Sequence, residues 1–402
     1  MIRCTVARVS LPALQNNFRA IQRFLESNAP GRCPTIIAVV KANAYGHGAQ
    51  RVALALEAAG ATMLACADIE EGVALRKAGV QVPVLVFGAL SVSDLGGLFE
   101  FGLTPTISTP SAARAVQAAA ERARRTIGYH LKIDTGMNRL GFRHDNLSRT
   151  LPELFAARNL RLTGIYTHFA TADDPENPAF GEQRERYERA LQTIEELLGR
   201  ARALSHPDND PSGSMPERVA QRVSAARIMC HTANSAALLR DSRVWYDAVR
   251  PGLLLYGIVP PPLASTIPLE PVLALTSRVV AVKGLRPGEG VGYGLRYRAD
   301  TPATIAVIPA GYADGLDTRL AGRGSVLIRG TRAPIVGSVC MDMLMVDVTG
   351  LEVSPGDEAV IIGRQGDERH QQIDAREMAA AVGTVPWEVV CRIGTRIERQ
   401  YS

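Results

Sequence analysis

The sequence is short of lysine, of tryptophan and of long apolar runs. Of its 45 basic residues only four are lysines, Lys41, Lys77, Lys132 and Lys283. Positive charge is otherwise written as arginine, so each retained lysine asks what arginine could not do there. Arginine keeps its proton near neutral pH, whereas a desolvated lysine can lose it, and imine formation requires that loss. No apolar stretch approaches the roughly 20 residues of a membrane helix. The N-terminus, MIRCTVARVSLPAL, lacks the apolar core of a signal peptide, so a cytoplasmic protein is expected, with no membrane partner. The six cysteines (Cys4, Cys33, Cys66, Cys230, Cys340, Cys391) have no CxxC spacing, which disfavours a structural zinc site or a disulfide framework, and no metal is expected. GxxxxGK[ST], HExxH, GxSxG and a glycine-rich dinucleotide fingerprint are all missing. Charge of one sign is scarce too: 45 basic against 40 acidic residues leaves +5, dispersed along the chain. The densest run, Glu121 to Arg125, reads as one solvated helix face, and nucleic-acid binding is not expected.

What is present is a chain of 402 residues, 46% hydrophobic and 21% charged, a soluble globular composition. Its length favours one large domain and a smaller one. Eight short apolar runs read as buried strands: 35–40, 62–66, 84–87, 104–107, 128–133, 162–167, 226–230 and 246–250. Most are followed by an amphipathic or alanine-rich stretch. This alternation predicts a closed (β/α)8 barrel of TIM type, with a doubly wound open sheet as the competing arrangement. Residues 205–224, rich in Pro, Ser and Asp, read as a surface loop insertion. After about Pro260 the pattern changes to strand-like runs separated by Gly/Pro turns. The expected division is therefore a barrel over 10–260 and a mostly β C-terminal domain over 261–402, joined by an N-terminal strand within 1–9.

Five polar segments fall at the C-terminal ends of barrel strands, where barrel enzymes place catalytic groups. In VVKANAYGHG (39–48), Lys41 reads either as an imine-forming amine with a lowered pKa or as a lysine snorkelling from a strand end. Tyr45, Gly46 and Gly48 follow at a strand-to-helix turn, whose backbone N–H groups either face an anion or serve the turn alone. LKIDTGMNRLG (131–141) brings Lys132, Asp134 and Arg139, as a salt-bridged loop or as part of a site. His168 in YTHFATAD is a buried, hydrogen-bonded imidazole or an active-site partner. Ser235 in CHTANSAA suits phosphate binding or simple helix capping. Arg250, Gly252 and Leu253 in VRPGLLLYG complete the set.

Taken together, these segments resemble the alanine racemase family. VVKANAYGHG is similar to that family's pyridoxal-phosphate attachment signature. KIDTGMNRLG, THFATAD, HTANSAA, VRPGLLLYG, VGYG (291–294), GYADG (311–315) and VGSVCMDM (336–343) resemble its other blocks, in order. The resemblance runs from about residue 5 to Tyr401. It implies a barrel followed by a β domain, a head-to-tail homodimer, and pyridoxal 5'-phosphate as cofactor. It implies that Lys41 holds the cofactor as an imine and acts as one base, with Tyr293 of the partner subunit as the opposite base. It further implies that Arg250 faces the pyridine nitrogen, with His168 hydrogen-bonded behind it. Tyr45, Ser235, Gly252 and Leu253 would cradle the phosphate. Arg139 would bind the phenolate oxygen and help hold the substrate carboxylate, which Met341 would meet through its backbone. Lys132 corresponds to a lysine that many members carry carbamylated beside that arginine. Trp387 stands where the family has tyrosine near the phosphate and the substrate side chain, and the bulkier ring implies a tight preference for alanine. The activity implied is interconversion of L- and D-alanine, supplying D-alanine for cell-wall peptidoglycan.

Two other readings use the same barrel. A non-catalytic cofactor-binding protein would not need the β domain or the VGYG tyrosine. An amino-acid decarboxylase would want an acidic partner for the pyridine nitrogen where Arg250 stands.

Overall fold

The computed structural model describes residues 4–29, 31, 33–90, 95–203, 228–366 and 371–402. The 205–224 insertion lies outside the described residues. Strand β1 (Val6–Val9) leads into a helix, Leu11–Asn28. Ser10 caps that helix, its hydroxyl accepting from the Ala13 amide. The helix buries Leu14, Phe18, Ile21 and Leu25, one stripe at helical spacing. Each such side chain contributes roughly 2 kcal/mol of apolar burial.

Strands β2 (Thr35–Val39), β3 (Met63–Cys66), β4 (Val84–Val86), β5 (Thr104–Ile107) and β6 (Ile127–Asp134) follow. Then come a short β7 (Phe142–Arg143), β8 (Leu160–Tyr166), β9 (Met229–Asn234) and β10 (Ala248–Arg250). Neighbouring strands of the set are parallel. Two pairings close the ring: β5 with β6, and β10 with β2. The closed eight-strand barrel is thus observed, and the open sheet is not. One boundary differs from the sequence reading. The seventh barrel strand does not end at Cys230 but runs to Asn234, because its inward residues are polar and escape an apolar pattern.

Alternation divides each strand between two environments. Ile36, Ala38 and Val40 face the helices, as do Tyr129, Leu131 and Ile133. Ile37, Val39, Ala65, Leu85 and Ala248 form a separate apolar cluster inside the barrel. The rest of the interior is polar and belongs to the site.

Past a 3-10 turn at Leu253–Tyr256 the chain enters a second, antiparallel sheet. Its first strand, β11 (Leu273–Arg278), pairs antiparallel with β1, which also pairs parallel with the last strand, Glu398–Tyr401. The N-terminal strand therefore belongs to this sheet. Asn17, fully buried in the first helix, fixes the junction. Its amide donates to the carbonyls of Leu255 and Glu270 at 3.0 and 2.8 Å, and its carbonyl accepts from the Glu270 N–H at 2.7 Å. Among the described residues no helix is long and apolar enough to cross a membrane.

Candidate active site

Strand β2 carries Lys41 to the C-terminal mouth of the barrel, directly after buried Val39 and Val40. The chain then does something the sequence did not announce. Ala42, Asn43, Ala44 and Tyr45 all have φ between 52° and 54°, a left-handed turn made without glycine. Each such residue costs roughly 1–2 kcal/mol, so the turn must be held from outside. Glu71 takes the Ala42 N–H at 2.7 Å with one carboxylate oxygen and the Ala67 N–H at 2.8 Å with the other. The Asn43 side chain accepts from the Ala49 amide at 2.8 Å. Gly46 lies so close to the Val390 carbonyl that a Cβ there would sit 2.2 Å from its oxygen. The amides of Ala42, Ala44, Gly46, His47 and Gly48 are all spent within the turn or on Glu71. They do not face an anion, which corrects one reading of this segment. Its product is the placement of Tyr45. The ring packs against Tyr256 at 5.2 Å, and a Cβ on Gly252 would meet the Tyr45 hydroxyl at 2.6 Å.

Ser235, the first residue of a helix capped by Asn234, completes this corner. Its hydroxyl accepts from the amides of Gly252 at 3.0 Å and Leu254 at 3.4 Å. Leu253 begins the 3-10 turn between them. The Tyr45 and Ser235 hydroxyls therefore meet the amides of residues 252–254 at the ends of β9 and β10, where Ser235 now accepts from Gly252 and Leu254 and an anion could take its place as acceptor.

The opposite wall is cationic. Arg250 is 3% exposed, and no described carboxylate pairs with it. Its guanidinium donates to four neutral acceptors: His231 Nδ1 at 2.9 Å, the carbonyls of Thr167 and Thr232 at 2.8 Å each, and His168 Nδ1 at 3.4 Å. Burial pulls even this arginine down to about 10. Half-buried His168 and buried His231 are held well below the usual imidazole range, first by burial and then by Arg250. His130 lies behind them, its Nδ1 2.8 Å from His231 Nε2. Tyr166 stacks on His231 at 4.8 Å, with its hydroxyl 3.0 Å from Thr106.

The two site lysines respond to the same wall. Lys132, 6% exposed on β6, is pushed down to about 8 by burial and then by Arg139 and Arg250. Lys41 is lowered as well, by burial first and Arg139 second, with Glu71 and Cys391 opposing. Arg139 itself is exposed on the loop after β6. Asp134 shapes that loop by accepting from the amides of Gly136 and Asn138 at 3.0 and 3.1 Å. Cys391 ends the helix Pro386–Cys391, and half-buried Trp387 lies one turn before it on the same face.

Tyr293 and Met341 are not joined to this cluster within the chain. Tyr293 is 77% exposed on a turn flanked by Gly292 and Gly294, both with positive φ, and its carbonyl accepts from the Ser338 hydroxyl at 2.8 Å. Met341, 52% exposed, has its carbonyl held by the Ala313 amide at 3.0 Å. Close packing forces glycine at 311, where a Cβ would lie 2.3 Å from the Cys340 oxygen. Arg396 ties these loops together through Asp314 at 2.7 Å and Asp342 at 2.6 Å.

Sequence reasoning missed His130, His231 and Glu71. A signal existed for the first: His130 and Lys132 are two apart in a strand and so share its inner face. Nothing marked Glu71, whose role exists only once the left-handed turn is known.

A parallel barrel followed by a mostly β domain, with a desolvated lysine and a buried arginine gathered at the C-terminal mouth, has the architecture of a barrel enzyme. Residues 9–210 match the family model for the alanine racemase N-terminal domain, and residues 272–401 that for the C-terminal domain. The alanine racemase of Carboxydothermus hydrogenoformans is 41% identical over 401 residues, 98% of either chain. That of Symbiobacterium thermophilum is 39% identical over all of this chain and 98% of its own. The crystal structure of the Bacillus anthracis alanine racemase with bound L-Ala-P is 34% identical, with a TM-score of 0.84 over 100% of this chain and 96% of that one. The enzyme from D-cycloserine-producing Streptomyces lavendulae reaches a TM-score of 0.86 at 33% identity, covering 100% and 98%. The chain belongs to the alanine racemase family.

Proposed function

We propose that this racemase interconverts L- and D-alanine with two bases, Lys41 on one face of the substrate and Tyr293 of the partner subunit on the other. The observation that carries the reading is the buried positive charge of Arg250, which no described carboxylate pairs, close to Lys41. Buried Arg250 has only neutral acceptors, and Lys132 and Arg139 add to its field. Such a site suits a strongly anionic ligand, and pyridoxal 5'-phosphate fits both the charge and the donor corner. When bound, the cofactor supplies an electron sink for the substrate's α-carbanion.

The residues divide the work. Lys41 carries the cofactor covalently, and the apolar surroundings that favour its neutral amine also let it accept a proton. Tyr45, Ser235 and the amides of Gly252 and Leu253 hold the phosphate. Arg250 would meet the pyridine nitrogen and, being unable to give up its proton, would leave that nitrogen unprotonated, with His168 behind it. Arg139 takes the phenolate oxygen and, with the Met341 backbone, the substrate carboxylate. A carbamylated Lys132 orients Arg139; its low pKa supplies the neutral amine that carbamylation needs. Trp387 narrows the pocket toward alanine.

Exposure of Tyr293, Leu295, Tyr312, Met341 and Met343 on neighbouring loops supports a homodimer in which these loops close a partner's barrel. In this arrangement residues 10–260 form the barrel, and 261–402 with the strand in 1–9 form the β domain. The six free cysteines suit a reducing cytoplasm, where the product D-alanine serves peptidoglycan. Mixing inactive Lys41→Ala and Tyr293→Phe subunits tests the division of bases. The mixture regains up to about a quarter of wild-type activity, since a hybrid dimer has one of its two sites intact and half of random dimers are hybrids. No recovery despite confirmed subunit exchange places both bases in one chain.

A further inference from the structure

The polar residues inside the barrel continue past Arg250, away from the mouth. Arg250 Nη1 lies 2.9 Å from His231 Nδ1, and His231 Nε2 lies 2.8 Å from His130 Nδ1. His130 in turn lines a cavity of about 370 Å³ at the opposite mouth, walled by Arg125, Arg161, Thr104 and Met229 from the N-terminal ends of the strands. The chain of contacts thus crosses the barrel from the catalytic end to the far end.

We propose that His130 is a positioning residue for the racemase reaction, acting through His231 to hold Arg250 in place. The proposal rests on the reading above that Arg250 meets the pyridine nitrogen. A guanidinium has five N–H donors and no acceptor. His231 Nδ1 must therefore be the bare nitrogen, and its proton sits on Nε2. That N–H needs an acceptor, which only a bare Nδ1 on His130 supplies, so the His130 proton sits on Nε2, free of any described protein partner. One donor-only group thereby sets the tautomer of two neutral imidazoles in series. Conversely, His130 satisfies the Nε2–H that His231 must carry in order to accept from Arg250; without that acceptor a buried N–H is left unpaired, and the ring that holds the guanidinium loses its support.

Two further features show a built arrangement. Both imidazoles are essentially buried, at 2% and 0% exposure, and burial with Arg250 nearby keeps them neutral, as the relay requires. Gly164 on β8 makes room for it, since a Cβ there would lie 2.7–2.8 Å from three atoms of the His130 ring. Tyr166, stacked on His231, fixes the plane of the middle ring.

The test combines a spectroscopic readout with kinetics on the cofactor-loaded protein. Nitrogen NMR of histidine-labelled protein reports tautomers directly. His231 and His130 are expected as neutral rings protonated at Nε2. A wild-type His231 protonated at Nδ1, or at both nitrogens, overturns the relay whatever the enzyme's activity. His130→Phe keeps the ring shape but removes the acceptor. It is expected to leave the His231 Nε2–H unpaired, shift the His231 ring nitrogen resonances and lower kcat roughly tenfold with KM for alanine within about twofold, the range expected when a buried donor loses its partner. His130→Gln, whose amide oxygen can accept, restores most of the loss. Unchanged His231 resonances and unchanged kcat in His130→Phe contradict the proposal. A wild-type protein that shows the relay but does not racemise alanine would overturn the functional reading and leave the tautomer chain standing.

Discussion

The two halves of the barrel interior could hardly differ more. Strands β2 to β4 fill theirs with Ile37, Val39, Ala65 and Leu85. Strands β6, β8, β9 and β10 fill theirs with His130, Lys132, Tyr166, His231 and Arg250. The apolar half is conventional barrel packing and acts on Lys41 by withholding water. The polar half adds the positive charge of Arg250 to burial, and the two together, burial first, depress Lys132 and the histidines. Both routes lower a lysine amine, Lys41 in the one half and Lys132 in the other. They differ in reach: desolvation acts on the group it surrounds, whereas the charge of Arg250 extends through His231 to His130.

The largest expected effect comes from removing what the apolar half prepares. Lys41→Ala lowers racemisation by at least about 10³-fold, the scale of a general base with its covalent role added, as read by chiral chromatography of initial rates. A residual rate within tenfold of wild type would mean that the desolvated lysine is not the base. Next is acid. His47 and His130 have native pKa values lowered to about 4 from 6.5, so the folded state takes up protons less readily than the unfolded chain. Their stabilisation is complete above pH 6.5 and is lost as pH falls toward 4, roughly 3 kcal/mol for each. Urea denaturation across that range should show the decline, and His130→Gln should remove its own share of it. A flat profile contradicts a neutral polar half. Gly164→Ala comes third. It forces a methyl against the His130 ring and should cost about 1–3 kcal/mol in thermal unfolding, more than an alanine placed at an open surface glycine such as Gly284. The smallest change sharpens the contrast. Val39→Thr puts a hydroxyl in the apolar half beside Lys41, with a stability cost of about 1–2 kcal/mol. It weakens the desolvation that lowers the amine, so the acidic limb of the kcat/KM pH profile should move to higher pH; a shift the other way would show that burial does not set the Lys41 pKa.

The apolar half was legible in the sequence and the polar half only in part. Buried β-rich runs between alanine-rich helices reveal strands because both of their faces are dry, and all eight were found where such runs occur. The seventh strand was cut short at Cys230 because His231 and Thr232 break the apolar run while remaining in the sheet. His130 was hidden for the opposite reason, being one polar letter within an apolar run. The candidate site residues on β2, β6 and β10 were visible as polar segments at strand ends, where the barrel rule gives position a meaning. The left-handed turn at Ala42–Tyr45 left no trace, since alanine and asparagine there look helical. Only its supports, Glu71 and the close approach of Gly46 to Val390, explain why it exists, and both are tertiary. Tyr293 was marked by likeness to a family block, and its distance from the lysine cluster is a fact that only the fold supplies.

The central claim is that protons leave and arrive on opposite faces through two different groups. Proton NMR of L-alanine in heavy water with the cofactor-loaded protein, sampled within the first few per cent of turnover and combined with chiral separation, tests it directly. The account predicts D-alanine that carries deuterium at Cα from the first turnovers, while the remaining L-alanine is still largely protiated. D-alanine that retains the substrate's own proton would show one group serving both faces, and an α-proton that never exchanges would deny the reaction itself.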